Sequence, residues 1–192
     1  MGGSYPPFLL SGSGMAKVFL ISLGCPKNQV DSEVLLGLLA HDGLVCTSSV
    51  NEADIVIVNT CAFIQEAVQE SIEVILELAE AKKRGKINTL IITGCLPQRY
   101  GEEIVREIPE VDLWTGTGEF PRIPRLLRGG KTKALIGKPR YLYDHHTPRI
   151  ITNSPHSAYV KIAEGCSHYC TFCLIPQLRG KYRSRELDSV RQ

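Results

Sequence analysis

The chain has 192 residues, 43% of them apolar, and a net charge of +2. That is an ordinary globular composition, long enough for one full domain and a piece of another, and the overall charge makes no case for nucleic acid. Seven cysteines, an odd number in a chain without a secretory signal, argue against a disulfide framework.

The first 14 residues have no basic start, and their apolar core is only Phe8, Leu9 and Leu10. That is too short for a signal peptide or a membrane span, and Pro6 breaks the myristoylation pattern. Residues 1–14 read as a disordered leader, with Met15 as the natural start. The expected compartment is the cytoplasm, where thiols stay reduced and can bind metal.

Residues 17–23 form a continuous apolar run ending at Gly24-Cys25, as expected for a parallel strand covered on both faces. Residues 28–41 place Val30, Val34, Leu35, Leu38 and Leu39 at helical spacing, and Gly43 stops that helix. Residues 44–47 predict a second strand and 55–58 a third, which leads into Asn59-Thr60-Cys61. A long helix is expected over 64–83, with Ile64, Val68, Ile72, Ile75 and Ala79 on one stripe. Its Lys82, Lys83 and Arg84 suit the negative end of the helix dipole. Residues 89–93 predict a fourth strand ending at Gly94-Cys95, 98–108 a helix, 111–114 a fifth strand and 122–128 a short last helix. Five strands alternating with helices predict a doubly wound α/β sheet, flavodoxin-like, in the order 2-1-3-4-5.

Charge marks the boundary. Residues 1–120 hold 8 basic and 16 acidic side chains, 121–149 hold 8 and 1, and 150–192 hold 6 and 3. Residues 15–128 are therefore expected to be one domain. Residues 129–156, rich in Gly, Pro and basic residues, are expected to be a linker, with a hairpin around 134–136 and 141–143. Residues 157–192 begin a second domain: an alternating strand over 158–163, a cysteine-rich loop, and a helix from 186.

Two cysteine sets stand out. Cys25, Cys61 and Cys95 lie 36 and 34 residues apart, which alone is weak evidence. Each, however, falls at the carboxyl end of strand 1, 3 or 4. In the expected order these strands are neighbours, about 4.8 Å apart, along the edge where open α/β sheets bind ligands. Three thiols there suit one iron–sulfur cluster. The competing reading is three ordinary half-buried cysteines. Cys46, inside strand 2, is read as structural. The second set, Cys166, Cys170 and Cys173, has the spacing C-x3-C-x2-C. Zinc with His168 as fourth ligand is the alternative, though positions 166, 168, 170 and 173 are cramped for a tetrahedron. A cluster on three cysteines leaves one iron open for a substrate or cofactor.

C-x3-C-x2-C with Phe172 before its last cysteine resembles the radical S-adenosylmethionine (SAM) signature. LGCPKNQVDSE (23–33), NTCAFIQEAVQES (59–71), TGCLPQRY (93–100) and KIAEGCSHYCTFCLIPQLRGKYRSR (161–185) resemble the methylthiotransferases of that superfamily. Among these they are most similar to the RimO type, which modifies an aspartate of small-subunit ribosomal protein S-twelve. The tRNA-modifying MiaB type usually has Gln-Met-Asn where this chain has Pro26, Lys27 and Asn28, and it usually lacks the 176–181 run.

The resemblance implies two 4Fe-4S clusters. The one on Cys25, Cys61 and Cys95 would carry the transferred sulfur. The one on Cys166, Cys170 and Cys173 would reduce SAM to give the 5′-deoxyadenosyl radical, with Phe172 beside the adenine. A flavodoxin or ferredoxin would donate electrons, and no membrane is involved. It also implies that residues 15–128 are the methylthiotransferase domain. Residues 157–192 would then be the truncated beginning of a radical SAM partial (β/α) barrel, so that the chain is an N-terminal fragment inactive alone. No residue is assigned a catalytic role. Asn28 and Asn59 are read either as hydrogen-bonding near the first cluster's sulfurs or as capping or turn residues. Arg179, Lys181, Arg183 and Arg185 are read as anion-binding or, for most of them, solvated.

Overall fold

A computed structural model describes residues 15–130, 132–153 and 155–192. The leader expected over 1–14 lies outside the described residues. In chain order the elements are β1 (Lys17–Ser22), α1 (Pro26–His41), β2 (Val45–Cys46), β3 (Ile55–Thr60), α2 (Gln65–Lys83), β4 (Thr89–Gly94), α3 (Cys95–Tyr100), α4 (Glu102–Glu107), β5 (Leu113–Gly116), α5 (Ile123–Leu127), β6 (Ala134–Leu135), β7 (Ala163–Glu164), α6 (Ile175–Arg179), β8 (Arg183–Ser184) and α7 (Leu187–Arg191).

The main sheet is parallel, in the order β2-β1-β3-β4-β5-β6. The α/β class and the 2-1-3-4-5 core of the order are as expected. The apolar runs of β3 and β4 explain why: alternate residues feed two separate cores. Val56, Val58, Leu90 and Ile92 pack with Ile75 and Trp114 on one face. Ile55, Ile57 and Ile91 pack with Val34, Leu35 and Ile123 on the other.

Five expectations need correction. The sheet has a sixth strand, because β6 pairs in parallel with β5 through Trp114↔Ala134 and Thr115↔Leu135. The 134–143 hairpin is therefore absent; Tyr141 instead packs edge-on against Phe120, with ring centroids 5.3 Å apart. The single helix over 98–108 is two helices, α3 starting at Cys95 and α4 following a break at Gly101. The strand over 158–163 reduces to β7, which pairs antiparallel with β8, while Val160 and Ile162 stay exposed. Finally, the buried face of α2 is Val68, Ser71, Ile75, Leu78 and Ala79, and Ile64 is exposed.

Helix α1 is buried on nearly every side, including polar Asp31 and Glu33. Residues 149–153 and 155–164 cover the face that sequence periodicity leaves to solvent. Glu33 is the anchor. It accepts bonds from Arg149 Nε at 2.9 Å and Nη2 at 2.5 Å, and from the Thr152 N–H at 3.0 Å and hydroxyl at 3.1 Å. Burial alone would raise the Glu33 pKa, but the Thr152 N–H and Arg149 outweigh it and hold the carboxyl below its ordinary 4.5. A depressed folded value means that this stabilisation is complete above the unfolded pKa. It is lost as pH falls through the folded one. Urea unfolding across pH should show wild type about 2 kcal/mol more stable than Glu33→Gln near neutrality. The gap should close below pH 4.5. A pH-independent gap would remove Glu33 ionisation as the cause.

Candidate functional site

Three cysteines meet where β1, β3 and β4 end. Cys25 precedes α1, whose first residue is Pro26, a residue whose missing N–H costs nothing at a helix start. Cys61 and Cys95 directly follow the paired residues Thr60 and Gly94. Cys25 is exposed, whereas Cys61 and Cys95 are 7% and 5% exposed. The sequence-predicted trio therefore shares one sheet edge. Cys46 pairs with Val18 near the start of β1, at the opposite end from Cys25.

Close backbone approach builds this edge. Gly24 and Gly94 have φ of +90° and +101°, where a side chain is strained. A Cβ on Gly24 would lie 2.8 Å from Cys61 Sγ, and one on Gly94 would lie 2.4 Å from Asn59 Oδ1. Two of the three cysteines thus follow glycines for a steric reason. The loops are braced from below. Asn28 donates to Leu23 O at 2.9 Å and Thr60 O at 2.8 Å, and its Oδ1 faces Cys95 Sγ at 3.9 Å. Asn59 donates to Asn28 O and Ser32 Oγ, both at 2.9 Å. Ser71 Oγ accepts from the Cys61 N–H at 3.2 Å and donates to Cys61 O at 2.9 Å. Of the two asparagines, Asn28 reaches a thiol and Asn59 braces the loop.

The second set lies on a loop held by the Cys166 N–H donating to Gly180 O at 3.0 Å and by the β7–β8 pair. Cys166 Sγ accepts from the His168 N–H at 3.4 Å, and the Cys173 N–H donates to Cys170 O at 3.1 Å. Phe172 is 85% exposed at the loop surface. Among the described residues no three Cys, His, Asp or Glu converge to hold one metal ion. An iron–sulfur cluster makes a different demand, since each thiolate binds its own iron and the three stand further apart. The donor chemistry of the first set fits such a group: three thiols, two of them shielded from water, with one nitrogen donor, Arg179 Nη2, behind Cys95.

Arg179 joins the two sets. The cysteine loop runs directly into α6, and Leu178 O accepts from Thr117 Oγ1 at 2.5 Å, docking α6 beside α3. Arg179 is 3% exposed. Its Nη1 donates to Asp31 Oδ2 at 2.5 Å and Glu164 Oε2 at 3.1 Å; its Nη2 turns to Asn28 Oδ1 and to Cys95 Sγ, the latter at 3.8 Å. Lys161 completes the buried group, bonding Asp31 and, at 2.7 Å, Glu164. The reading of Arg179 as solvated or anion-binding is therefore corrected, because two carboxylates occupy it. Arg185 lies over the Tyr143 ring at 4.5 Å and bonds Ser189. Burial pushes the metal-free Cys95 thiol up to about 11; Arg179 opposes that, while Cys61 and Cys25 add to it. Burial alone would also raise Glu164, but Arg179 and Lys161 hold it well below the usual carboxylate range. Sequence reasoning missed Ser71 and gave Arg179 the wrong role. Ser71 had a signal, a lone hydroxyl in helical step with Val68 and Ile75.

A family model described as Uncharacterized protein family UPF0004 matches residues 17–116. The chain is 52% identical over 185 residues to the protein named Ribosomal protein uS12 methylthiotransferase RimO of Geotalea uraniireducens, covering 94% of this chain and 41% of that protein. The proteins of that name from Geobacter sulfurreducens (52% identical; 91% and 40% covered) and Trichlorobacter lovleyi (49%; 94% and 41%) are similar to it. The chain thus spans about two fifths of the length of these curated relatives. No helix among the described residues is long and apolar enough to cross a membrane.

Proposed function

The chain belongs to the family described as Uncharacterized protein family UPF0004, and from its two cysteine triplets and its likeness to relatives named uS12 methylthiotransferase we propose that this protein is a radical SAM methylthiotransferase acting on an aspartate of ribosomal protein uS12. The observation that carries the reading is the placement of two cysteine triplets side by side. Cys25, Cys61 and Cys95 lie at one sheet edge, and the Cys166–Cys170–Cys173 loop is docked next to it through Leu178 and Arg179. A C–H bond at an aspartate β-carbon offers no acidic proton to an ordinary base, so replacing it needs radical chemistry. When bound, the two 4Fe-4S clusters supply the electron that cleaves SAM and the sulfur that is transferred.

The chain's own residues divide the work. The Cys61 and Cys95 thiols, shielded by α2 and α3, keep water from the first group. The open second loop presents Phe172 for stacking against an adenine. Residues 15–128 serve as the sulfur-carrying domain and 157–192 as the start of the SAM-binding one. The proposed setting is the cytoplasm, with a flavodoxin or ferredoxin as electron donor.

The tRNA reading loses support because the basic segment 121–149 is partly spent internally: Arg122 pairs with Glu119, Arg128 with Asp42 and Arg149 with Glu33. Anaerobically reconstituted full-length protein, given SAM, a reductant and uS12, should add a methylthio group to one aspartate, read by peptide mass spectrometry. Modification of a tRNA adenosine instead, or of neither, would overturn the assignment.

A further inference from the structure

Arg179 is a strongly polar side chain spent on no surface and no substrate. Its position has two halves. On the Nη1 side, Asp31 and Glu164 fix the guanidinium plane. On the Nη2 side, the acceptors among the described residues are Asn28 Oδ1 and the Cys95 sulfur at 3.8 Å, within reach of a hydrogen bond to sulfur. Asn28 is itself fully buried and tied to the ends of β1 and β3. The fork therefore cannot swing away from Cys95 without losing two ion pairs. Lys161, the other buried cation, is turned to the same two carboxylates, so the cation that reaches the thiol is Arg179.

We propose that Arg179 is a positioning residue that sets the reduction potential of the cluster held by Cys25, Cys61 and Cys95, by donating to the Cys95 sulfur and holding a positive charge beside it. The inference rests on the reading that these cysteines hold an iron–sulfur cluster. Hydrogen bonds to ligand sulfurs and the local net charge are the protein's main levers on such potentials. Reduction adds one electron, hence one negative charge, to the cluster. A buried cation favours that reduced form, the more so where the dielectric is low. Asp31 and Glu164 have two effects: they orient the fork and they partly cancel its charge. Arg179 lies six residues after Cys173 in the sequence, but its place is held by Asp31, Glu164 and the docking of α6 rather than by the cysteines of that loop.

The test uses full-length protein carrying Cys166→Ala, Cys170→Ala and Cys173→Ala, so that only the first set is loaded. After anaerobic reconstitution it is titrated with dithionite, which supplies the electron, and the reduced cluster is read by electron paramagnetic resonance. Arg179→Gln should lower the reduced-to-oxidised ratio at fixed potential about tenfold, which is about 59 mV for a one-electron couple. Arg179→Lys, which keeps the charge and loses the fork, should fall between Arg179→Gln and the parent. Asp31→Asn should move the ratio the opposite way, because it leaves the Arg179 charge less compensated. Shifts of opposite sign are the signature, since a purely structural role would move both variants together. An intact cluster with an unmoved potential in Arg179→Gln, or same-sign shifts, overturns the proposal. Should Arg179→Gln fail to fold, Asp31→Asn and Glu164→Gln carry the test, both expected to raise the ratio and both fatal to it if they do not. Absence of any cluster in the parent would overturn the underlying reading as well, and iron counting separates that case from an unmoved potential.

Discussion

Replacing Cys25, Cys61 and Cys95 together by alanine should halve the iron and sulfide of the reconstituted full-length protein and leave the other half in place. The expectation comes from where the two sets sit. The first is built on the ends of β1, β3 and β4, inside a sheet whose strands pack on both faces without help from a metal. The second hangs on a loop braced by β7, β8 and the Cys166–Gly180 backbone bond. No hydrogen bond joins a cysteine of one set to a cysteine of the other, so each should load independently. Substituting small alanines at positions 5–7% exposed costs little packing at Cys61 and Cys95. Circular dichroism should therefore stay native while visible absorbance falls by about half. Retention of all the iron would show that the strand-end cysteines are structural. Loss of all of it would show one shared centre, which would contradict two separate groups.

The sheet was open to sequence reasoning because its signals are local. Residues 55–58 and 89–93 are largely apolar runs, each leading into a cysteine, and parallel strands buried on both faces read that way. The strand order by itself brings the three cysteines to one edge. What escaped lacks a local signal. β6 has two residues, and only its bonding to the edge of β5 makes it a strand. The 158–163 alternation has the right period but no partner strand along most of its length. Arg179 is the clearest case. Its neighbours Lys181, Arg183 and Arg185 make a basic tract that looks solvated, while its partners Asp31 and Glu164 are 148 and 15 residues away. Asp31 in turn is an acidic residue set between Leu35 and Leu38 in the apolar stripe of α1, while Glu33 lies on the face that periodicity assigns to water. Two segments each look polar and exposed until they cover each other.

That mutual burial makes Lys161→Met the most costly single change expected outside the cysteines. Lys161, Asp31, Glu164 and Arg179 form a balanced group of two cations and two carboxylates, with side chains 3–6% exposed. Burial works against the Lys161 charge, but Asp31 and Glu164 hold its pKa above the ordinary lysine value, so it is a cation at any physiological pH. Removing it leaves two buried carboxylates facing one buried guanidinium, with only the half-exposed Lys27, 3.5 Å from Glu164, to share the charge. Breaking a buried ion pair from one side costs about 3–5 kcal/mol. The Arg106–Glu102 pair, with side chains 76% and 84% exposed, supplies the contrast. Arg106→Met should change stability by no more than about 0.5 kcal/mol. Urea midpoints of the metal-free, reduced protein would compare the two. The decisive variant is Lys161→Met combined with Asp31→Asn, which returns the buried group to one cation and one carboxylate. If charge imbalance is the cause, the double variant should be more stable than Lys161→Met alone, a coupling of the sign and size seen between residues in one network. If the two losses simply add, Lys161 acts through packing and the balanced network is not what holds residues 157–164 to α1.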